Sequence, residues 1–236
     1  IAGIITVVLF CRRRKLPFLK VCDALVPGVA LAQAIGRWGN YFNQEAYGLP
    51  LTDPALCFFP IGVQIMENGI PVWHMATFFY ESLLDFSIFL FLILSRRKLL
   101  RETGDVFFAY LFLYAAARLL VENFRMDSLY TAGEVRVSQL LSVLVCGGIL
   151  AACMIRVQRR SKEGSGKKPG IIANLLFILT LPVLISLVMF CFGSSLIPLP
   201  SVLSQFLYLG FCSLYLTLTL FILYTSTGGM YANHPA

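Results

Sequence analysis

Apolar and polar positions alternate along this chain in long blocks rather than in short periods. Apolar runs occupy residues 1 to 10, 22 to 38, 73 to 94, 106 to 121, 136 to 155, 171 to 192 and 201 to 225. Most approach about 20 residues, the length of helix that crosses roughly 30 Å of hydrocarbon. The pattern predicts an all-α protein, a polytopic transmembrane helical bundle. One long stretch departs from it. From about Gly39 to Val72 the chain is polar and carries Pro50, Pro54, Pro60 and Pro71, as a loop region would. Within it, the alternating stretch from Phe59 to Met66 precedes a turn-like Glu67-Asn68-Gly69, which predicts one strand of a short hairpin.

Composition supports the membrane reading and excludes a soluble domain: 58% of residues are hydrophobic, 13% are charged, and mean hydropathy is +0.79. The first apolar run starts at Ile1 and covers only about half a bilayer before a basic stretch, so the chain is expected to lack its natural start. Seven cysteines occur without a C-x-x-C spacing, and six of them lie in or beside apolar runs. They are expected to be packing residues, with no disulfide framework, no metal site and no cofactor.

Charge changes the picture more. Three basic clusters fall between the apolar runs: Arg12 to Lys20; Arg96, Arg97, Lys98 and Arg101; and Arg156, Arg159, Arg160, Lys162, Lys167 and Lys168. If each run crosses once, all three lie on one side, and the positive-inside rule makes that side cytoplasmic. The loop region is then extracytoplasmic. Together the clusters hold fifteen of the nineteen basic residues, so most of the net charge of +7 is topological and does not point to nucleic acid. Four arginines are left without a topological reason: Arg37, Arg118, Arg125 and Arg136. Residues 161–170, SKEGSGKKPG, form a polar linker between a domain at 1–160 and a C-terminal transmembrane hairpin at 171–236. The hairpin's apolar runs carry no ionisable group other than cysteine and tyrosine, and no chemistry is assigned to them.

The leftover arginines have polar company. Arg37 opens the run GRWGNYFNQEAYG, residues 36–48, which adds Asn40, Asn43, Gln44 and Glu45. Tyr114, Arg118, Glu122 and Arg125, at i, i+4, i+8 and i+11, share one face of a predicted helix. On the helix expected from residue 73, His74, Thr77, Glu81 and Asp85 form a second stripe. Arginines at membrane depth cost several kcal/mol unless paired or hydrated, so they mark functional sites by default. A planar guanidinium also matches phosphate oxygens in pairs. Blander readings stand beside this one. Arg118 and Glu122 form a purely structural i,i+4 pair; His74 is a satisfied interface histidine; Arg136 snorkels; Gly36, Gly39 and Gly48 serve close packing.

These residues resemble the motifs of a known family, the bacterial prolipoprotein diacylglyceryl transferases. GRWGNYFNQEAYG is similar to that family's Gly-Arg-x-Gly-Asn-Phe-x-Asn run followed by Glu and Gly. His74-Met75-Ala76-Thr77-Phe78-Phe79-Tyr80-Glu81 is similar to its His-Pro-Thr-x-Leu-Tyr-Glu, and Arg118 to Arg125 to its Arg-Phe-x-x-Glu-x-x-Arg. Arg136-Val137-Ser138-Gln139 resembles the opening of its last helix. The resemblance covers about residues 1 to 158 and departs from the pattern at Met75 and Met126, where the family has proline; the apolar runs after 170 have no counterpart in it.

The resemblance implies an enzyme of the bacterial plasma membrane, with its active site toward the outer side. It moves the diacylglyceryl group of phosphatidylglycerol onto the lipobox cysteine of signal-peptide-bearing preprolipoproteins and releases glycerol phosphate. Its partners are then phosphatidylglycerol, the preprolipoprotein and the lipid bilayer. By the same resemblance, Arg37, Arg118, Glu122 and Arg125 are the catalytic positions. Arg37, Asn40, Asn43, Glu45 and Gly48 shape the head-group pocket, and His74, Tyr80 and Glu81 support it. A base is expected near the attacking thiol. The family's essential His, followed by two glycines, is expected just upstream of Ile1. Two other readings stay open: an inactive membrane fragment of that family, and a polytopic transporter of an anionic solute, although no internal repeat supports the latter.

Overall fold

The computed structural model describes residues 2–97, 100, 102–125, 137–162, 179–180, 183–187 and 202–228. Helix α1 (Ala2–Arg14) leads into α2 (Phe18–Asn43), followed by a 3-10 turn at Pro54–Leu56. Strands β1 (Gly62–Glu67) and β2 (Ile70–Met75) come next. Then follow α3 (Thr77–Ser95), α4 (Asp105–Val121) with a 3-10 turn at Glu122–Phe124, α5 (Val137–Lys162) and α6 (Val202–Gly228). Among the described residues, α2, α3 and the Val137–Arg156 part of α5 are long and apolar enough to cross a membrane. The polytopic helical bundle expected from the apolar runs is therefore observed. Most of the run at 171–192, Arg136 and residues 163–170 of the expected linker lie outside the described residues, while Ser161 and Lys162 belong to α5.

Helix α4 is the hub because it is apolar all round and buries two faces. One face meets α2 and α3 through Val26, Ala30, Ile88, Leu92, Ala109 and Tyr110. The other places Phe112, Ala115 and Leu119 against Val143, Cys146 and Leu150 of α5 and Leu209, Cys212 and Leu216 of α6. Small residues let α2 and α3 approach closely: the Ser82 hydroxyl donates to the Ala34 carbonyl at 2.8 Å, and Trp38 Nε1 donates to Ser82 Oγ at 3.2 Å.

At the basic end, polar groups tie the helices together. Asp23 of α2 accepts from the backbone N–H of Gly104 at 2.5 Å and of Phe107 at 2.9 Å. It satisfies donors that the first turn of α4 leaves without an intrahelical partner. Arg156 of α5 reaches Asp105 at 2.8 Å and Glu102 at 3.5 Å. One end of the bundle is thus fixed by a latch across α2, α4 and α5.

The predicted hairpin is present at the other end. Asn68 and Gly69 both have positive φ, +51° and +82°, as a two-residue turn between right-twisted strands requires. The register pairs Glu67 with Ile70 and Gly62 with Met75. Val63 and Ile65 alternate inward and pack with Ala76 and Phe78. One expectation is corrected here: the helix does not start at residue 73. Trp73, His74 and Met75 belong to β2 and find backbone partners in β1, so α3 starts at Thr77. The short apolar run lacked a period that would separate strand from helix. His74 consequently leaves the helical stripe on which Thr77, Glu81 and Asp85 remain.

Candidate functional site

Three separate segments deliver the site. Arg37 comes from the last third of α2, Glu81 and Asp85 from the first turns of α3, and Arg118 from the end of α4 with Glu122 and Arg125 just beyond. Glu81 is the focus and is 4% exposed. Its Oε1 accepts from Arg118 Nη1 at 2.7 Å and lies 3.5 Å from Arg125 Nη1. Its Oε2 lies 2.8 Å from Arg37 Nη1, a charge contact outside hydrogen-bond alignment. Arg118 also donates from Nη2 to Glu122 Oε2 at 2.6 Å, the i,i+4 pair that its spacing predicts. One turn deeper, Asp85 Oδ2 stands 3.7 Å from Arg37 Nε, too far for a hydrogen bond.

Among the described residues, three guanidiniums therefore face three carboxylates, and in their ionised forms these six groups are neutral. Each partner is needed, because an unpaired buried charge costs about 3–5 kcal/mol. Each guanidinium carries five N–H donors, and the hydrogen bonds to Glu81 and Glu122 use two of those on Arg118. The cavity among Arg37, Glu81, Asp85, Tyr114 and Arg118 measures only about 10 Å³. That is room for about one water, so a phosphate has no place inside the cluster as it stands.

The end of α4 places Arg125 by a change of conformation rather than by helical periodicity. The chain leaves α4 through the 3-10 turn, and Arg125 is extended at φ −80°, ψ 137°. There it bridges Gly48, while the Leu49 N–H donates to the Phe124 carbonyl at 2.9 Å. Gly48 sits where a Cβ would lie 2.7 Å from Met75 Cβ, 2.8 Å from Thr77 Cγ2 and 2.9 Å from the Phe124 carbonyl oxygen. Only glycine fits without displacing backbone. Its carbonyl is held by His74, whose Nδ1 lies 2.9 Å away.

The other positions singled out in the sequence fall into two groups. His74 is 1% exposed, with Nε2 3.2 Å from Glu67 Oε1 and its ring edge-on to Tyr47. Among the described residues its side chain contacts Gly48, Glu67 and Tyr47, in the hairpin platform and not in the arginine cluster. Tyr80 likewise turns to the hairpin and donates to the Ile61 carbonyl at 2.5 Å. Asn40, Asn43 and Glu45 lie where α2 ends. Gln44 adopts a left-handed conformation, and the N–H groups of Gln44 and Glu45 return to the carbonyls of Tyr41 and Asn40 at 3.2 and 3.0 Å. Asn43 Nδ2 donates to Glu45 Oε1 at 3.1 Å on the exposed surface, and Gln44 Oε1 accepts the Met66 N–H at 3.1 Å, pinning the hairpin to α2. Sequence reasoning ranked Glu81 as support and left Asp85 out of the site. The signal that would have raised both is a carboxylate inside an apolar helix, which needs a cationic partner.

The fold and the cluster define a polytopic membrane protein that gathers arginines around buried carboxylates at the end opposite its basic clusters. Comparison with known proteins gives the family. The profile of the prolipoprotein diacylglyceryl transferases matches residues 1–157, and the chain belongs to that family. It is 42% identical over 147 residues to a phosphatidylglycerol–prolipoprotein diacylglyceryl transferase of Clostridium botulinum strain Hall, covering 61% of this chain and 56% of the relative. It is 40% identical over 162 residues to the protein of that name from Finegoldia magna, covering 69% and 60%. A third of that name, from Prochlorococcus marinus, is 38% identical over 179 residues, covering 70% and 59%. The chain thus spans little more than half the length of these relatives.

Proposed function

We propose that this chain carries the head-group site of an enzyme that transfers the diacylglyceryl group of phosphatidylglycerol to the lipobox cysteine of preprolipoproteins. It works in the bacterial plasma membrane, with the arginine cluster toward the outer face. The thiol gives its proton to a base, sulfur bonds to the glyceryl carbon, and the bond from that carbon to the phosphate oxygen breaks. Glycerol phosphate leaves with that electron pair. Arg37 and Arg118 meet the phosphate and stabilise the charge that develops on it, as preorganised cations do in a site that excludes water. Glu81 and Glu122 hold the guanidiniums in place, and Arg125 completes the set. Since the cluster is closed and neutral, the lipid phosphate engages it by parting the side chains and sharing guanidinium donors with the carboxylates. Asn40, Asn43 and Glu45, at the exposed end of α2, face the glycerol of the head group, and Gly48 keeps Arg125 in register. His74 and Tyr80 support the site through the hairpin.

The observation that supports this reading best is the convergence of Arg37, Arg118 and Arg125 on the single carboxylate Glu81. The test uses the intact gene product in a bacterium whose own transferase is under conditional control. Arg37→Ala and Arg118→Ala are each expected to abolish lipoprotein modification. Normal growth and normal lipid labelling with either variant would remove the basis of the proposal.

A further inference from the structure

Beyond the family-matched region lies α6, whose sequence carries no charged side chain. It packs along α4 and encloses with α3 and α4 a groove of about 540 Å³. Leu84, Ile88 and Phe91 form one wall, Leu113 and Ala117 the floor, and Leu214 of α6 part of the opposite wall. The volume lies within the roughly 300–1,000 Å³ of sites that hold small ligands. Among the described residues three hydroxyls line the groove, and each is used by a backbone carbonyl: Ser87 donates to Leu83 at 2.7 Å, Ser213 to Ala116 at 3.5 Å and Thr217 to Ser213 at 2.8 Å. The groove therefore offers hydrocarbon to its occupant and no polar group that lacks a partner.

Two further observations fix what the occupant is. Leu84 and Ala117 line both this groove and the small cavity among Arg37, Glu81, Asp85 and Arg118, so the outer end of the groove opens beside the arginine cluster. From there the floor runs along α4 to Ala109, eight residues or about 12 Å at 1.5 Å per residue, and on to Leu100 near the basic end. A single turn of α-helix with its side chains fills about 400 Å³, from a radius near 5 Å and a pitch of 5.4 Å. The groove has room for little more than one such turn, so it suits a linear hydrocarbon chain and not a membrane helix. We propose that α6 completes, with α3 and α4, a groove for one acyl chain of a phospholipid whose phosphate lies at the arginine cluster. The identity of that lipid as phosphatidylglycerol rests on the transfer reading; the groove itself does not.

The test is photo-crosslinking of the full-length protein in nanodiscs with phosphatidylglycerol bearing a diazirine in the middle of one acyl chain. Labelled peptides are then mapped by mass spectrometry. Saturable labelling concentrated on Ile88, which is 7% exposed, and Leu113 is expected, against weak, unsaturable labelling of Leu141 and Leu144, which are 61% and 60% exposed on α5 outside the groove. Leu214→Trp and Thr217→Trp, which fill the groove from its α6 side, are each expected to lower the saturable labelling about tenfold, equivalent to losing burial of about two methylenes. Equal labelling of groove and α5 positions, or saturable labelling unchanged in both variants, overturns the proposal. So does preferential labelling of the groove by a diazirine-bearing apolar helical peptide. The two readings fail separately. Saturable groove labelling without lipidation of a lipobox thiol by the wild-type protein defeats the transfer reading and keeps the groove. Lipidation with an unchanged KM for phosphatidylglycerol in both variants defeats the groove and keeps the transfer.

Discussion

The two ends of the bundle each bury an arginine–carboxylate cluster, and they do opposite things with it. At the basic end, Arg156 serves Asp105 and Glu102 while Asp23 caps α4 through two backbone N–H groups. Among the described residues, carboxylates outnumber the arginine there, and backbone N–H groups also donate to them. The Arg156 side chain is 34% exposed, at the end that carries the basic clusters. At the opposite end, one carboxylate draws three arginines whose side chains are 14% to 18% exposed. Those arginines stand apart from the basic clusters in the sequence. The latch spreads its carboxylates over one arginine and backbone N–H groups. The opposite cluster balances its charges as well, but gathers three guanidiniums onto the single carboxylate Glu81.

This contrast can be broken by mutation, and the largest effect is expected at Arg118. Arg118→Ala removes a cation from Glu81 and Glu122 together, and lipidation of a lipobox thiol per folded molecule is expected to fall about 100- to 1,000-fold. Arg118→Lys is not expected to restore it, because an ammonium cannot span two carboxylates as the fork does. Glu81→Gln leaves three guanidiniums without their shared counter-charge. It is expected to destabilise the bundle by about 3–5 kcal/mol, read as a lower thermal midpoint in detergent. If that midpoint is unmoved, Glu81 is not the anchor that its distances suggest.

Gly48→Ala tests how the hairpin positions Arg125. The new Cβ meets Met75 and the Phe124 carbonyl oxygen inside 3.0 Å, so a loss of about 1–3 kcal/mol is expected, together with reduced lipidation as the 124–125 segment shifts. The smallest effect on lipidation belongs to the latch. Arg156→Met removes a cation from buried Asp105 and is expected to lower stability by about 3 kcal/mol while leaving lipidation per folded molecule unchanged. Lipidation lost in Arg156→Met as fully as in Arg118→Ala would erase the distinction between latch and site.

Much of this was legible along the chain. Blocks of apolar residues predicted the helices because burial in hydrocarbon depends on length and composition, which a linear sequence displays directly. Asn68-Gly69 announced the hairpin because few other residues accept positive φ at both turn positions. Arg37, Arg118 and Arg125 stood out by subtraction once the basic clusters were assigned to one side. The start of α3 was misplaced because Trp73-His74-Met75 is too short a run to declare a period, and its pairing with β1 is a tertiary fact. His74 moved from a helical stripe to the hairpin platform for the same reason.

What the sequence determined by itself, then, was that the protein lies in a membrane, where the basic clusters fall between its apolar runs, and which arginines lie outside that pattern. Only the tertiary structure decided that Glu81, 44 positions from Arg37 and 37 from Arg118, is their common partner. It also decided that Asp85 stands beneath Arg37, and that α6 lays an apolar wall beside the same cluster. Hydropathy and charge sign are properties of single residues and add along the chain. Pairing is a property of distances between segments remote in sequence, and those distances are set when α4 packs against α2, α3, α5 and α6 at once.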